Sequence, residues 1–111
     1  MEVTEAQAGN TLTLRIVGRV DSSVSNLLDQ KVRDVVARDC PIVVDLGDMD
    51  YVSSAGLRCF VVLAKHARAS NRTIALCGMR EEITEIFQLS GLLRLFPVYD
   101  NVETAVATLP Q

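Results

Sequence analysis

The chain has 111 residues, 49% of them hydrophobic, with no tryptophan and a net charge of −3. That is the size of one ordinary domain, with enough aliphatic side chains for a real core. The acidic balance argues against duplex nucleic acid as a partner, and no apolar run approaches the ~20 residues of a membrane span. The start, MEVTEAQAGN, is acidic and lacks the apolar run of a signal peptide, so a cytoplasmic protein is expected.

The elements follow in chain order. Residues 2–7, EVTEAQ, make a weak strand, and AGN supplies a turn. TLTLRIVGRV (11–20) alternates, with Leu12, Leu14 and Ile16 on one face, so the two strands form a hairpin. In residues 21–38 Val24, Leu28, Val32 and Val35 form one helical stripe, and Asp21, Ser22 and Ser23 offer caps at its start. PIVVDL (41–46) is continuously apolar, as in a central strand.

Residues 54–69 form a second helix with Leu57, Phe60, Val61, Ala64 and Ala67 inward, and RTIALCG (72–78) is another strand. In residues 80–91, Ile83, Ile86, Phe87 and Leu89 point inward, and Gly91 is placed to end the helix in a left-handed conformation. RLFPVY (94–99) is a last strand, put at an edge because Pro97 has no donor for a ladder. NVETAVATL closes the chain as a small helix capped by Asn101. The order β-β-α-β-α-β-α-β-α predicts an α/β fold with a mixed, mostly parallel sheet and helices packed on it.

In such sheets, sites favour the loops after the carboxyl ends of strands. DLGDMDYVSSAGLRCF (45–60) is one such loop, and it places Ser53 and Ser54 just before a helix. A serine there can accept a bond from one of the unpartnered N–H groups, a cap worth ~1 kcal/mol. The same N–H groups and the helix dipole also suit an anion, so a phosphate on Ser54 would not melt the helix. It would add roughly −2 of charge beside Asp48 and Asp50. Ala55 and Gly56 leave the helix start uncluttered, open to close approach by another protein's backbone.

Other chemistries fare worse. His66, the sole histidine, lies twelve residues past Ser54 on the same helix, ~18 Å along its axis, so no Ser-His-Asp triad forms. His66 reads as a surface residue. Cys40, Cys59 and Cys77 are odd in number and widely spaced, and read as reduced thiols. With one His they do not fit a zinc site. Asp45, Asp48 and Asp50 lack the glycine and distal glutamate of a calcium loop, and no P-loop or G-x-G-x-x-G is present. No metal or cofactor is expected. Arg58, Lys65, Arg68 and Arg72 read as a solvated face.

VVDLGDMDYVSSAGLRCFVVLAKHAR and ALCGMREEITEIFQLSGLLRLFPVYDNVETAV resemble the STAS domain, and more narrowly the stand-alone anti-sigma factor antagonists of bacteria. GRVD (18–21) matches the glycine and aspartate that members carry at the end of the second strand. The resemblance spans about Thr11 to Ala107 and implies that residues 1–111 are one STAS domain. It implies a regulatory binding protein, not an enzyme, in a partner-switching circuit. The unphosphorylated form binds an anti-sigma factor that is also a serine kinase. The kinase inactivates it by phosphorylation two residues before the family's glycine, here Gly56, so at Ser54, and a serine phosphatase reverses this.

The implied partner-facing surface is Asp48, Asp50, Ser53, Ser54, Ala55, Gly56, Leu57 and Arg58, with Asp21, Ser22 and Ser23 beside it. Many members have Asp where this chain has Ser53, which leaves Ser53 as a rival acceptor, and Ser or Thr where it has Ala55. The alternative is a STAS subunit of another assembly, a lipid-transport complex or a signalling scaffold, in which the serine is only a cap.

Overall fold

The alternating pattern of residues 11–20 becomes the strand around which the rest is arranged. A computed structural model describes residues 1–109. Strand β1 (Glu2–Ala8) pairs antiparallel with β2 (Thr11–Val20), as the hairpin pattern requires. Then come α1 (Ser25–Val36), β3 (Ile42–Asp45), β4 (Met49–Val52), α2 (Ser54–Ala69), β5 (Ile74–Cys77) and α3 (Glu81–Leu89). A 3-10 turn over Leu92–Leu95, β6 (Val98–Tyr99) and α4 (Val102–Thr108) complete the order. The sheet runs β1-β2-β3-β5-β6, parallel from β2 onward.

Each crossover steps the same way along the sheet, so right-handed connections put α1, α2 and α3 on one face. There Leu12, Leu14 and Ile16 meet Ile42, Val44, Ile74 and Leu76 beneath Leu28, Val32, Phe60, Leu63, Ile83 and Phe87. The Phe60 and Phe87 rings touch edge to face, with centroids 5.1 Å apart. The opposite face of β3 and β5 carries the smaller side chains Val43, Ala75 and Cys77, which are covered by Ala105 of α4 and by Leu109 just after it. His66 is exposed, as expected, and Gly91 takes a φ of 81° after α3. Asn101 caps α4 by accepting from the Thr104 N–H at 2.8 Å.

Several elements differ from the sequence reading. Residues 49–52, read as loop, form β4, which pairs with β2 beyond the end of β3. Met49 and Val52 are buried and Asp50 and Tyr51 exposed, a pattern too short to register as a strand. The register shifts between Gly18 and Arg19, and Gly18 has a φ of 92°. Helix α1 begins at Ser25, after Val24, without a side-chain cap. On α2 the buried positions are Gly56, Cys59, Phe60 and Leu63, while Leu57, Val61, Ala64 and Ala67 are half-buried flanks. The helix lies between two neighbours, so both flanks are partly covered.

Leu89 ends α3 with its side chain in solvent, because Ile83 and Phe87 occupy the inward face. Arg94 and Leu95 fall in the 3-10 turn, so the last strand is only Val98–Tyr99, at the edge. Arg72 is not part of a solvated face. It donates to the Val36 and Arg38 carbonyls and so ties down the end of α1.

Candidate functional site

Strands β2 and β4 end side by side, and their exits form the site. The Ser53 N–H donates to the Val20 carbonyl at 2.8 Å, which brings the chain after β2 next to the start of α2. After β2, the Asp21 carboxylate accepts from the Ser23 N–H at 3.0 Å and from its hydroxyl at 2.5 Å. The Ser23 hydroxyl bond is the main reason that the Asp21 carboxyl titrates below the usual range, with Arg19 at 3.1 Å adding to it. The three residues read as caps for α1 therefore build a turn that faces Ser53. Ser22 and Ser23 are exposed on it.

The two serines have different surroundings. Ser53 is the N-cap of α2, with extended backbone (φ −87°, ψ 172°), and its half-buried hydroxyl accepts from the Gly56 N–H at 3.2 Å. Ser54 is the first helical residue. Its side chain is exposed and makes no hydrogen bond among the described residues. The cap expected of Ser54 thus belongs to Ser53.

Gly56 points inward, not toward a partner. A Cβ there would stand 2.8 Å from Val20 Cγ1, 2.8 Å from Val52 Cγ2 and 3.1 Å from the Val20 carbonyl oxygen. Its backbone comes close to the ends of β2 and β4, which explains glycine at this point. Ala55 and Leu57 are half-buried, and Arg58 is exposed one turn after Ser54.

The acidic residues divide. Asp48 pairs with Arg15, and Asp45 stands 3.9 Å from the same guanidinium while accepting from the Gly47 N–H at 3.0 Å. Arg15 thus takes the place a cation would hold, and no group of three or more His, Cys, Asp or Glu side chains suited to a metal is found among the described residues. Asp48 precedes β4 and Ser54 follows it, so the four residues of the strand, ~13 Å at the strand rise, lie between them. Asp48 therefore does not share a patch with Ser54, and Asp21 is the acid on the neighbouring turn. Asp50 is exposed on β4.

Two neighbours escape the sequence reading. The Arg19 guanidinium lies 3.8 Å from the centroid of the Tyr51 ring, and Tyr51 is 40% exposed. Only the Arg19–Tyr51 register, set by the bulge, reveals this pair. On the other side, the Cys59 thiol donates to the Ser25 carbonyl at 3.5 Å, so α1 and α2 start together and Leu27 is exposed nearby. A recess of about 220 Å³ between them is lined by Asn26, Asp29, Ala55, Arg58 and Val62. The site is a surface with one free hydroxyl at a helix start, suited to binding and to modification.

No helix among the described residues is long and apolar enough to cross a membrane. The STAS domain model matches residues 3–105. BtrV of Bordetella bronchiseptica, which carries the provisional name of an anti-sigma factor antagonist, is 33% identical over 96% of this chain and 93% of its own. The crystal structure of TM1081 from Thermotoga maritima superposes with a TM-score of 0.87 at 20% identity, covering 95% of this chain and 92% of that one. The anti-sigma factor antagonist SpoIIAA of Bacillus, in its phosphorylated form, gives a TM-score of 0.73 at 16% identity, covering 96% and 97%. At these identities the two structures speak to the fold.

Proposed function

This chain belongs to the STAS domain family, and from that premise we propose that it is an anti-sigma factor antagonist switched by phosphorylation of Ser54. STAS anti-sigma antagonists are regulatory binding proteins. The observation that carries the reading is the division between the serines: Ser53 spends its hydroxyl on the Gly56 N–H, and Ser54 keeps its own in solvent. The resemblance to BtrV and SpoIIAA supports the class of function, and the existence of a phosphorylated SpoIIAA supports modification as the switch.

In this reading the unmodified chain, in the cytoplasm, binds an anti-sigma factor that is also a serine kinase. The surface runs from the Asp21–Ser23 turn across Asp50, Ser53 and Ser54 to Leu57 and Arg58. The kinase transfers the γ-phosphoryl of its ATP to Ser54 Oγ, leaving ADP, while the hydroxyl proton passes to the kinase's base. A phosphatase returns the hydroxyl by hydrolysis. The chain tolerates the dianion, because free N–H groups and the helix dipole meet it and Arg58 lies one turn on. The partner tolerates it poorly. A dianion enclosed against polar or acidic groups costs several kcal/mol, and each 1.4 kcal/mol is about tenfold in affinity.

The test uses the cognate kinase with ATP, mass spectrometry to map the modified residue, and isotherms for four forms. Ser54→Ala is expected to bind like wild type and accept no phosphate. Ser54→Asp, with one charge instead of nearly two, loses part of the affinity, and the phosphorylated chain loses about a hundredfold. Undiminished phosphorylation of Ser54→Ala overturns the proposal and moves the acceptor elsewhere, Ser53 being the rival, while equal affinities for all forms overturn it and leave Ser54 as helix-start chemistry only.

A further inference from the structure

The exposed stripe of α2 carries charge of one sign. Arg58, Lys65 and Arg68 lie on it, and the helix has no acidic residue. Helix α3 shows the opposite. Glu82, Glu85 and Leu89 fall at i, i+3 and i+7 on its exposed face, and the helix has no basic residue. Among the described residues none of Lys65, Arg68, Glu82 and Glu85 makes an ion pair. By contrast Arg15, Arg19, Lys31, Arg33 and Arg38, every cation before residue 40, are paired.

The two clusters are separated in a defined way. Both helices lead from the end of one strand back toward the start of the next, so they run in the same direction. The Phe60–Phe87 contact sets their level. Lys65 and Arg68 lie ~7.5 and ~12 Å beyond that contact, at 1.5 Å per residue, and Glu85 and Glu82 lie ~3 and ~7.5 Å before it. The midpoint between cations and acids is level with Leu89, ~3 Å beyond the contact. Leu89 is 82% exposed. Between α2 and the 3-10 turn, with Lys65 and Arg68 on its wall, runs a groove of about 500 Å³ floored by Val61, Ala64 and Ile74 and bounded by Leu95.

We infer that two copies of this chain associate through the α2–α3 face about a two-fold axis. A two-fold through the midpoint puts the Glu82–Glu85 cluster of each copy on the Lys65–Arg68 cluster of the other. It also brings the two Leu89 side chains together near the axis. The occupant is a second copy because this one surface carries both complementary clusters, in equal number, with its most exposed leucine at their centre. The contact engages the end of α2 away from Ser54 and goes beyond the phosphorylation reading.

The test is sedimentation of the purified chain across a concentration series at low and at high salt. Association is expected at low salt and weakens at high salt, where exposed charges are screened. Lys65→Glu with Arg68→Glu is expected to weaken it about tenfold or more, and Glu82→Lys with Glu85→Lys to do the same. An equimolar mixture of the two reversed variants associates again, since each supplies what the other lost. Leu89→Glu, a change in solvent that leaves the fold alone, also abolishes the contact. A wild-type monomer at every concentration at low salt overturns the inference, as do reversals without effect or a mixture that stays monomeric. The measurement needs no kinase, so it stands or falls apart from the reading of Ser54.

Discussion

Ser53 and Ser54 differ by one position and by where their hydroxyls go, and the cause is the backbone. An N-cap residue keeps extended dihedrals so that its side chain can fold back on the next N–H groups, whereas the first helical residue points its own outward. Gly56 is the third partner in this geometry. Helix propensity alone predicts that Gly56→Ala gains about 0.5–1 kcal/mol. The structure reverses the sign, since the new methyl group would stand 2.8 Å from side-chain atoms of both Val20 and Val52. Overpacking of that kind typically costs about 1–3 kcal/mol, so Gly56→Ala is expected to lower Tm and the denaturant midpoint. An unchanged midpoint would mean that the two valines move aside freely. The spacing of Gly56 from Ser54 is legible in the sequence. The close approach is not, because it depends on Val20, 36 positions earlier.

At the scale of elements, the outer strand β1 is held to α1 and to the turn after it by one carboxylate. Glu5 accepts from Arg38 and from Lys31. Chiefly through the Arg38 bond, and then the Lys31 bond, its carboxyl is lowered to about 2. A folded value below the unfolded one stabilises the fold fully above the ordinary range near 4.5, and the gain is lost as pH falls from there to about 2. Glu5→Gln is therefore expected to destabilise the protein at neutral pH by ~0.2–1 kcal/mol, the range of surface pairs. The gap to wild type should close below about pH 2, as urea unfolding at a series of pH values would show. A gap that stays constant with pH would assign the loss to something other than charge.

The helices and the first strands were legible because their apolar periods are long. β4 was not, because four residues in which Asp50 and Tyr51 face solvent carry no period of their own, and β2 supplies the pairing. Leu89 misled because its spacing fits the buried stripe, while the helix ends there and Ile83 and Phe87 already fill the inward face.

The whole molecule is a sheet with unequal faces. Three helices and large side chains cover one, and the short helix α4 covers the other over Val43, Ala75 and Cys77. Burial under α4 also pushes the Cys77 thiol up to about 12, with Asp45 and Glu103 adding to the effect. At neutral pH such a thiol meets an alkylating reagent only while α4 is lifted away. Cys77 is thus a built-in stopwatch for one local opening, read without any introduced probe. Half-exposed Cys40 keeps time for reagent reactivity in the same tube. Asn101→Ala removes the cap of α4, worth ~1 kcal/mol, and is expected to speed labelling of Cys77 about fivefold while Cys40 keeps its rate. Equal acceleration at Cys59, buried in the core on the other face, would show the clock running on global unfolding instead, and would time the stability of the whole sheet.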